Sequence, residues 1–412
     1  MSYKKLRILS YKPGFDLDEE YNKRFSSYTT IHTNLTIYPF LNEQKVISSI
    51  FELFYLPLPI ILNKAEKIKY LSDDLKKMSA QLPGIAENQI FYSTIIDEIQ
   101  STNETEGVES SKYEIGEAIL NRKNKENKKR KRFEGIVNMY LNLGEEKFEY
   151  IKEPQDIRNI YDALFKGEED IDEWPDGEIF RADPVQLKEN EKIIHRGVTT
   201  EQDVTAAVES LIYFMNRKDI PYMEKCFISH YYFEYIHPFY DGNGRLGRFL
   251  VSSYLTRKLD PYTGLSVSNA VNRNKNKYYN SFEEVALPRN KGEITHFISD
   301  MMDLVIDGQE ASKIQLSEAL AKMKNVEGYM SELSKEKVIN EVGLNVLFGL
   351  IQDYLFSSFG QTTDEDISRI LKISRYKLKQ QMTILEGQGF VKKVSQSPSI
   401  HQLTDAVIER IA

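Results

Sequence analysis

Apolar positions recur at helical spacing through most of this chain. Val204, Val208, Leu211, Ile212 and Met215 share one face, which predicts an amphipathic helix over Asp203–Asn216. Glu224–Ile236 predicts the next helix. Its aromatics, Phe227, Tyr231, Tyr232, Phe233 and Tyr235, imply burial on most sides. Leu246, Phe249, Leu250 and Tyr254 form a further stripe after a glycine-rich segment at 241–244. Upstream, Ala65–Leu82 reads as a helix broken by Pro83-Gly84. Ile95, Ile96 and Ile99 carry a helix over Tyr92–Gln100 into Ser101-Thr102. Residues 1–45 mix strand and loop signals. Gln309–Val338 is polar, charged and helix-favouring, as a connecting segment would be.

The last seventy residues change character. Leu344–Phe356 predicts an apolar helix, and Thr362–Asp366 supplies caps for a short helix at Ile367–Leu371. Ser374 caps a helix carrying Leu378, Met382 and Leu385, which stops at Gly387-Gln388-Gly389. Phe390–Val394 and Ile400–Leu403 predict two short strands around a Ser-Pro turn. Helix, helix, hairpin in this order resembles a winged helix-turn-helix.

Composition narrows the function. The 412 residues suggest two or three domains. Lys plus Arg is 54 against 62 Asp plus Glu, a net charge of −8, which argues against a nucleic-acid coat or a polybasic membrane binder. One cysteine, Cys226, excludes an intramolecular disulfide, Cys-rich zinc sites and iron–sulfur clusters. Six histidines without a His-Glu-x-x-His pattern argue against zinc. The N-terminus lacks a signal peptide's apolar core, and Val46–Leu62 is broken by Glu52, Pro57 and Pro59. The expected address is the cytoplasm. The basic run Arg122–Arg132, with eight basic residues and one acid, reads as a solvated helix or loop, and Glu168–Glu173 as an acidic loop.

The chemistry is concentrated in His237-Pro238-Phe239-Tyr240-Asp241-Gly242-Asn243-Gly244-Arg245-Leu246-Gly247-Arg248. Pro238 biases His237 out of the helical region, so the preceding helix ends there with its imidazole on a loop. Gly242 and Gly244 admit a ligand to backbone N–H groups, and Asn243 tolerates a left-handed turn. A helix starting at about Gly244 presents amides and a dipole to an anion. Arg245 and Arg248, three apart, can each grip a phosphate bidentately. Asp241 is an oxygen ligand suited to Mg²⁺. A nucleoside triphosphate and a hydroxyl nucleophile would use every part. Taken singly, each residue has an ordinary reading as a cap, a turn or a surface ion pair. Twelve positions carrying all of them do not.

This segment resembles the Fic motif, His-x-Phe-x-Asp/Glu-Gly-Asn-Gly-Arg-x-x-Arg, without a mismatch. The resemblance covers roughly residues 50–310. It implies a mainly α fold, a Fic-type helical bundle with a short β-hairpin flap, followed here by the winged-helix-like tail. It implies transfer of AMP from ATP to a Ser, Thr or Tyr hydroxyl of a target protein and of the enzyme itself, with release of pyrophosphate. His237 would deprotonate the hydroxyl. Asp241 would hold Mg²⁺ against the α- and β-phosphates. The amides of Gly242, Asn243 and Gly244 would cradle the anion. Arg245 would meet the β-phosphate and Arg248 the γ-phosphate, with Leu246 and Gly247 completing the ATP-binding turn. Phe239 would anchor the loop.

Upstream, Thr102-Asn103-Glu104-Thr105-Glu106-Gly107 resembles the family's inhibitory motif, Ser/Thr-x-x-x-Glu-Gly/Asn. The class with an N-terminal inhibitory helix is implied, Glu106 pairing with Arg248 and occupying the fork that the γ-phosphate needs. Asn103, Glu104 and Thr105 depart from the Ser-Ser and apolar residue of many relatives. Ile193-Ile194-His195-Arg196 resembles the flap, which would cover the nucleotide and align a target by strand addition. Tyr278-Tyr279 resembles the tyrosine pair flanking adenine. Relatives often place an Asn seven or eight positions beyond; here Ala286 and Leu287 stand there. His230 reads as a helix residue in the aromatic layer.

The expected organisation is an N-terminal region over 1–90, a catalytic core with the inhibitory helix over 91–308, a helical linker over 309–338 and the winged-helix-like domain over 339–412. Expected partners are ATP and a target protein. A homodimer and DNA are open, and no membrane is expected. Arg375, Tyr376, Lys377 and Lys379 start the tail's recognition helix, and Lys392 and Lys393 enter its wing. The alternatives are therefore a DNA-binding regulator with a nucleotide-sensing core, or an enzyme that removes AMP with Glu106 orienting water. Transfer of phosphate, UMP or phosphocholine on the same scaffold also stays open.

Overall fold

The computed structural model describes residues 3–123, 132–168, 171, 173–189, 191–357 and 362–411. Most of the basic run and part of the acidic stretch at 168–173 lie outside the described residues.

The protein is mainly helical, with small two-stranded hairpins. Two short helices, α1 (Leu6–Leu9) and α2 (Leu17–Phe25), precede four strands: β1 (Ile31–Ile37), β2 (Phe40–Leu41), β3 (Gln44–Lys45) and β4 (Phe51–Tyr55). β1 pairs antiparallel with β4, Ile31 opposite Tyr55 and Ile37 opposite Phe51, while β2 and β3 make a hairpin between them. Leu35, Ile37 and Leu53 are buried by this pairing. Arg24 of α2, itself buried, forms an ion pair with Glu293 at 2.8 Å. Arg7 holds both oxygens of Glu284 at 2.8 Å. The mixed signals of residues 1–45 are thus strands and helices strapped onto the body by charge pairs far away in sequence.

Helices α3 (Pro59–Ser79), α4 (Gly84–Thr105), α5 (Lys112–Lys123), α6 (Glu134–Gly144) and α7 (Pro154–Leu164) follow. Pro59 and Pro154 occupy first-turn positions where a missing N–H is harmless. Glu153 and Asp156 close a capping box on α7. A hairpin of β5 (Gln186–Glu189) and β6 (Lys192–Arg196) leads into α8 (Glu201–Asn216), whose N-terminus Thr200 caps by accepting the Asp203 N–H. Then come α9 (Tyr222–Ile236), α10 (Asn243–Lys258), α11 (Pro261–Gly264), α12 (Val267–Arg273), α13 (Lys275–Ala286) and α14 (Thr295–Glu336). On α8, Val204, Val208, Leu211 and Ile212 are buried on the predicted face. On α9 eleven of fifteen residues are buried, as an all-round aromatic helix requires.

The tail comprises α15 (Glu341–Phe356), α16 (Asp364–Ile370), α17 (Arg375–Gly387), β7 (Val391–Gln396), β8 (Ser399–Leu403) and α18 (Asp405–Ile411). Thr363 and Asp366 form the capping box of α16, and Ser374 caps α17 through the Lys377 N–H. The order of helices and hairpin is the expected one, with α18 added.

Helix α14 runs unbroken through 42 residues. The expected boundary at 308/309 therefore falls inside one helix, and the boundary at 90/91 falls inside α4. Both helices contribute to two apolar cores. Ile95, Ile96 and Ile99 of α4 and Met301 and Val305 of α14 belong to the larger core around α9 and α10. Ala86 and Ile90 of α4 and Leu316 and Met323 of α14 belong to the second, shared with Val346, Leu350, Leu378 and Leu403 of the tail. Helical propensity continues smoothly across these points, so composition gives no sign that each helix changes partner midway.

Candidate active site

The site is built where α9 stops and α10 starts. Pro238 excludes the right-handed helical conformation at His237. The chain leaves α9 with His237 in the left-handed region, φ 54°, its N–H still bonded to Phe233 O at 3.0 Å. The side chain is 6% exposed. Burial first, and the Arg181 cation second, push its imidazole down to about 4, so it is neutral at neutral pH. Nδ1 lies 3.9 Å from Glu234 Oε2 and has no hydrogen-bond partner.

Phe239 anchors the loop as expected. Its ring stacks on Tyr161 at 3.9 Å between centroids and meets Phe180 edge-on. Asn243 is spent on the loop itself: Oδ1 accepts the Phe239 N–H at 3.0 Å and Nδ2 donates to Phe239 O at 2.8 Å. Gly242, at φ 79°, is the N-cap of α10, a turn that side chains rarely adopt. The first helical bond is Leu246 N–H to Gly242 O. The amides of Asn243, Gly244 and Arg245 thus stand outside the helical ladder, where an anion is favoured. Leu246 is buried in the core, and Gly247 lies against Glu234 and His230.

The two arginines differ. Both are 1% exposed. Arg245 lies over the Phe165 ring at 4.7 Å, and its nearest carboxylate, Asp241, is 3.6 Å away. Its Nε and Nη2 are buried without a hydrogen-bond partner. A buried guanidinium with open donors is poised for an anion. Arg248 is already engaged. Its Nη2 meets Glu106 Oε1 at 2.7 Å, and Nε donates to Thr102 Oγ1 at 2.9 Å. Burial opposes its charge, but the Glu106 carboxylate outweighs this and raises its pKa. Gly244 makes room for that carboxylate, because a Cβ there would fall 2.3 Å from Glu106 Oε1.

Glu106 is the C-cap residue of α4, and several contacts hold that end in place. Lys275 donates to Glu104 O at 2.8 Å, Tyr279 to Thr105 O at 3.3 Å, and Asn272 to Glu104 Oε2 at 2.7 Å. Further back, buried Glu98 accepts the Ser268 and Asn269 N–H groups and the Ser252 hydroxyl. The departure at Glu104 is therefore used for anchoring through its carboxylate, whereas the Thr105 contact with Tyr279 is made by its backbone carbonyl. Asn103 is fully buried with its amide unpartnered, and nothing in the structure explains it.

Ile193, Ile194, His195 and Arg196 lie on β6, paired antiparallel with β5. His195 Nε2 is 2.9 Å from Tyr235 O, and its ring lies 6.3 Å from that of His237. Burial, then the His237 charge, push it down to about 3. The β2–β3 hairpin packs beside β6: Glu43 Oε2 accepts the Ile193 N–H at 3.2 Å and Lys45 donates to Gly197 O at 2.8 Å. This places the Phe40–Lys45 hairpin next to β6, which its sequence did not suggest. Tyr278 is 3% exposed, its hydroxyl 2.8 Å from His230 Nε2, so it belongs to the core layer with His230. Tyr279 is 40% exposed at the end of α4.

Asp241 alone would meet a metal. Its carboxylate is about a third exposed, and no cluster of three ligands occurs among the described residues. One carboxylate beside an anion site fits Mg²⁺, which keeps waters and phosphate oxygens as its other ligands.

Sequence reasoning missed Glu234, Arg181 and Phe165. Glu234 stands three residues before His237, one turn back on α9, and that spacing could have flagged it. Burial, then the Glu106 charge, push its carboxyl up to about 8. Arg181 and Phe165 arrive from distant elements and leave no local signal.

Parts of this chain are similar to known proteins. The family model described as Fic/DOC family matches residues 150–255. A probable protein adenylyltransferase of Aquifex aeolicus is 39% identical over 69 residues. The match takes in 17% of this chain and only 19% of that protein. Among solved structures, a Fic family protein from Desulfovibrio desulfuricans is 16% identical with a TM-score of 0.49, over 85% of this chain and 98% of that one. A Fic domain-containing signaling protein from Bacteroides thetaiotaomicron is 18% identical with a TM-score of 0.46, over 61% and 96%. No helix among the described residues is long and apolar enough to cross a membrane.

Proposed function

This chain is a Fic/DOC-domain protein, and we propose from that premise that it transfers AMP from ATP to a hydroxyl of a target protein and of itself. The observation that carries the reading is Arg245: a buried guanidinium with two unpartnered nitrogens, on the helix just after a buried neutral histidine. A triphosphate supplies the missing acceptors.

In this reading the amides of Gly242, Asn243 and Gly244 and the side chains of Arg245 and Arg248 receive the phosphates. Positioning and charge neutralisation are the protein's main contribution. His237 accepts the hydroxyl proton while the target oxygen bonds to the α-phosphorus. The α–β bridging bond breaks and pyrophosphate leaves. Asp241 would hold Mg²⁺, which would supply positive charge to the phosphates. The flap aligns the target backbone, and Glu106 restrains the reaction by occupying Arg248.

His237→Ala, made in a Glu106→Gly background, tests it. Incorporation from ATP labelled at the α-phosphate should fall by about 10²–10⁴-fold while ATP still binds. Unchanged labelling would remove His237 from this role.

A second reading is a DNA-binding regulator. It is supported by the exposed side chains of Tyr376, Lys377 and Lys379 on α17 and of Lys392 and Lys393 on β7. Tight, salt-sensitive binding in a gel-shift assay, without AMP transfer, would favour it.

A further inference from the structure

Arg181 is fully buried, yet it makes no ion pair among the described residues. All of its side-chain partners are backbone carbonyls. Nε donates to His237 O at 2.8 Å, Nη1 to Asp183 O at 2.6 Å, and Nη2 to Val198 O and, at 3.4 Å, to Ile236 O. Its own N–H donates to Pro238 O at 3.2 Å. Ile236 and His237 carry the last carbonyls of α9, the negative end of that helix. Asp183 lies just before β5 and Val198 just after β6. One planar fork therefore ties the catalytic loop to both feet of the flap. Gly197 permits this approach, because a Cβ there would fall 2.7 Å from Arg181 Nη2.

We propose that Arg181 is a positioning residue for the reaction, clamping the left-handed His237 turn and the flap's two feet into one unit. This rests on His237 being the base. His237 sits in a left-handed conformation that L-residues disfavour, and Arg181 bonds its carbonyl. The charged and titratable groups facing His237 are Glu234 on its own helix, His195 on the flap and Arg181 itself. Only a fork reaches four carbonyls at once, so Arg181→Lys would keep the charge and lose most of the bonds.

The test uses the full chain carrying Glu106→Gly, with Arg181→Met and Arg181→Lys added singly. Arg181→Met should lower kcat by about 10–100-fold with KM for ATP within about threefold. The His237 imidazole, followed by NMR in selectively labelled protein, should titrate at higher pH than in the parent. The acid limb of the rate profile should move the same way. Arg181→Lys should leave the titration near the parent value and still lose rate. An unmoved imidazole titration in Arg181→Met, with rate loss matching only the loss of folded protein, overturns the proposal. If the parent transfers no AMP, the activity reading fails. The NMR titration still decides whether Arg181 sets the imidazole.

A separate observation concerns the inhibitory helix. Its first turn is gripped by the tail: Gln352 Oε1 accepts the Ala86 N–H at 3.1 Å, and Gln89 donates to Asp353 Oδ1 at 3.0 Å. Its last residues hold Arg248, about 30 Å away along one helix. We infer that the tail, through α15, sets how firmly Glu106 occupies Arg248. This rests on the inhibitory reading. Gln352→Ala, and Gln89→Ala as a milder change, should raise AMP incorporation several-fold in the wild-type background. They should add nothing once Glu106 is Gly. Equal gains in both backgrounds, or none in the first while Glu106→Gly alone is active, overturn the coupling. Inactivity of Glu106→Gly itself would sink the activity reading instead. Hydrogen exchange over 101–106, expected to quicken in Gln352→Ala, then decides the coupling.

Discussion

Replacing Glu106 by Gly removes the carboxylate that now fills Arg248. The magnitude follows from the geometry. The Nη2–Oε1 distance is 2.7 Å and Arg248 is buried, but the Glu106 side chain is 32% exposed. A charge-assisted hydrogen bond contributes about 1.5–3 kcal/mol. Solvent screening at the exposed partner reduces this to about 1–2 kcal/mol. An incoming γ-phosphate no longer has to displace that contact, so ATP affinity should rise about 5–30-fold. AMP incorporation should rise at least as much, because the α-phosphate can then settle beside His237. Without nucleotide the variant should melt lower, since Arg248 keeps only Thr102; saturating ATP should restore much of the loss. Calorimetric titration with ATP and Mg²⁺, paired with self-labelling from α-labelled ATP, measures both effects. Glu106→Gln, which keeps a hydrogen bond without charge, should fall between. If affinity and labelling both stay within twofold of the parent, the ion pair has no regulatory meaning.

Arg245→Met should weaken ATP binding by about 10–100-fold through loss of charge-assisted phosphate contacts. Its melting temperature without nucleotide should change little, because a buried cation with two unbonded nitrogens is lost together with its long Asp241 contact at 3.6 Å; a large fall would mean that Arg245 is structural. Glu234→Gln tests the buried acid. Its carboxyl is raised to about 8, so its favourable contribution is present below the ordinary carboxylate range and is lost as pH rises through about 8. The stability gap between Glu234→Gln and the parent should be near zero at pH 4 and widen by up to about 1.4 kcal/mol per pH unit toward pH 8. Thermal melts showing a pH-independent gap would place Glu234 in water.

Much was legible in the chain because the informative interactions are local. The helices around the site follow from apolar spacing, and their ends from Pro238, Gly242, Ser374 and the Thr363–Asp366 box. The loop from His237 to Arg248 packs its base, amides and arginines within one turn-and-helix, so their proximity is a matter of covalent reach. Even there, the role of Asn243 differs in detail: its side chain closes the loop on Phe239.

Tertiary structure decided what depends on contacts across the sequence. Periodicity marks an apolar face but not what covers it. Nothing local shows that α4 and α14 each serve two cores, or that the hairpin at Phe40–Lys45 packs beside the β5–β6 hairpin. Residues 56 positions apart make Arg181 a clamp on His237, and residues 142 apart bring Glu106 onto Arg248. Burial, too, is set only by the assembled fold, and it is burial that leaves His237 neutral and Glu234 protonated in the same few ångströms.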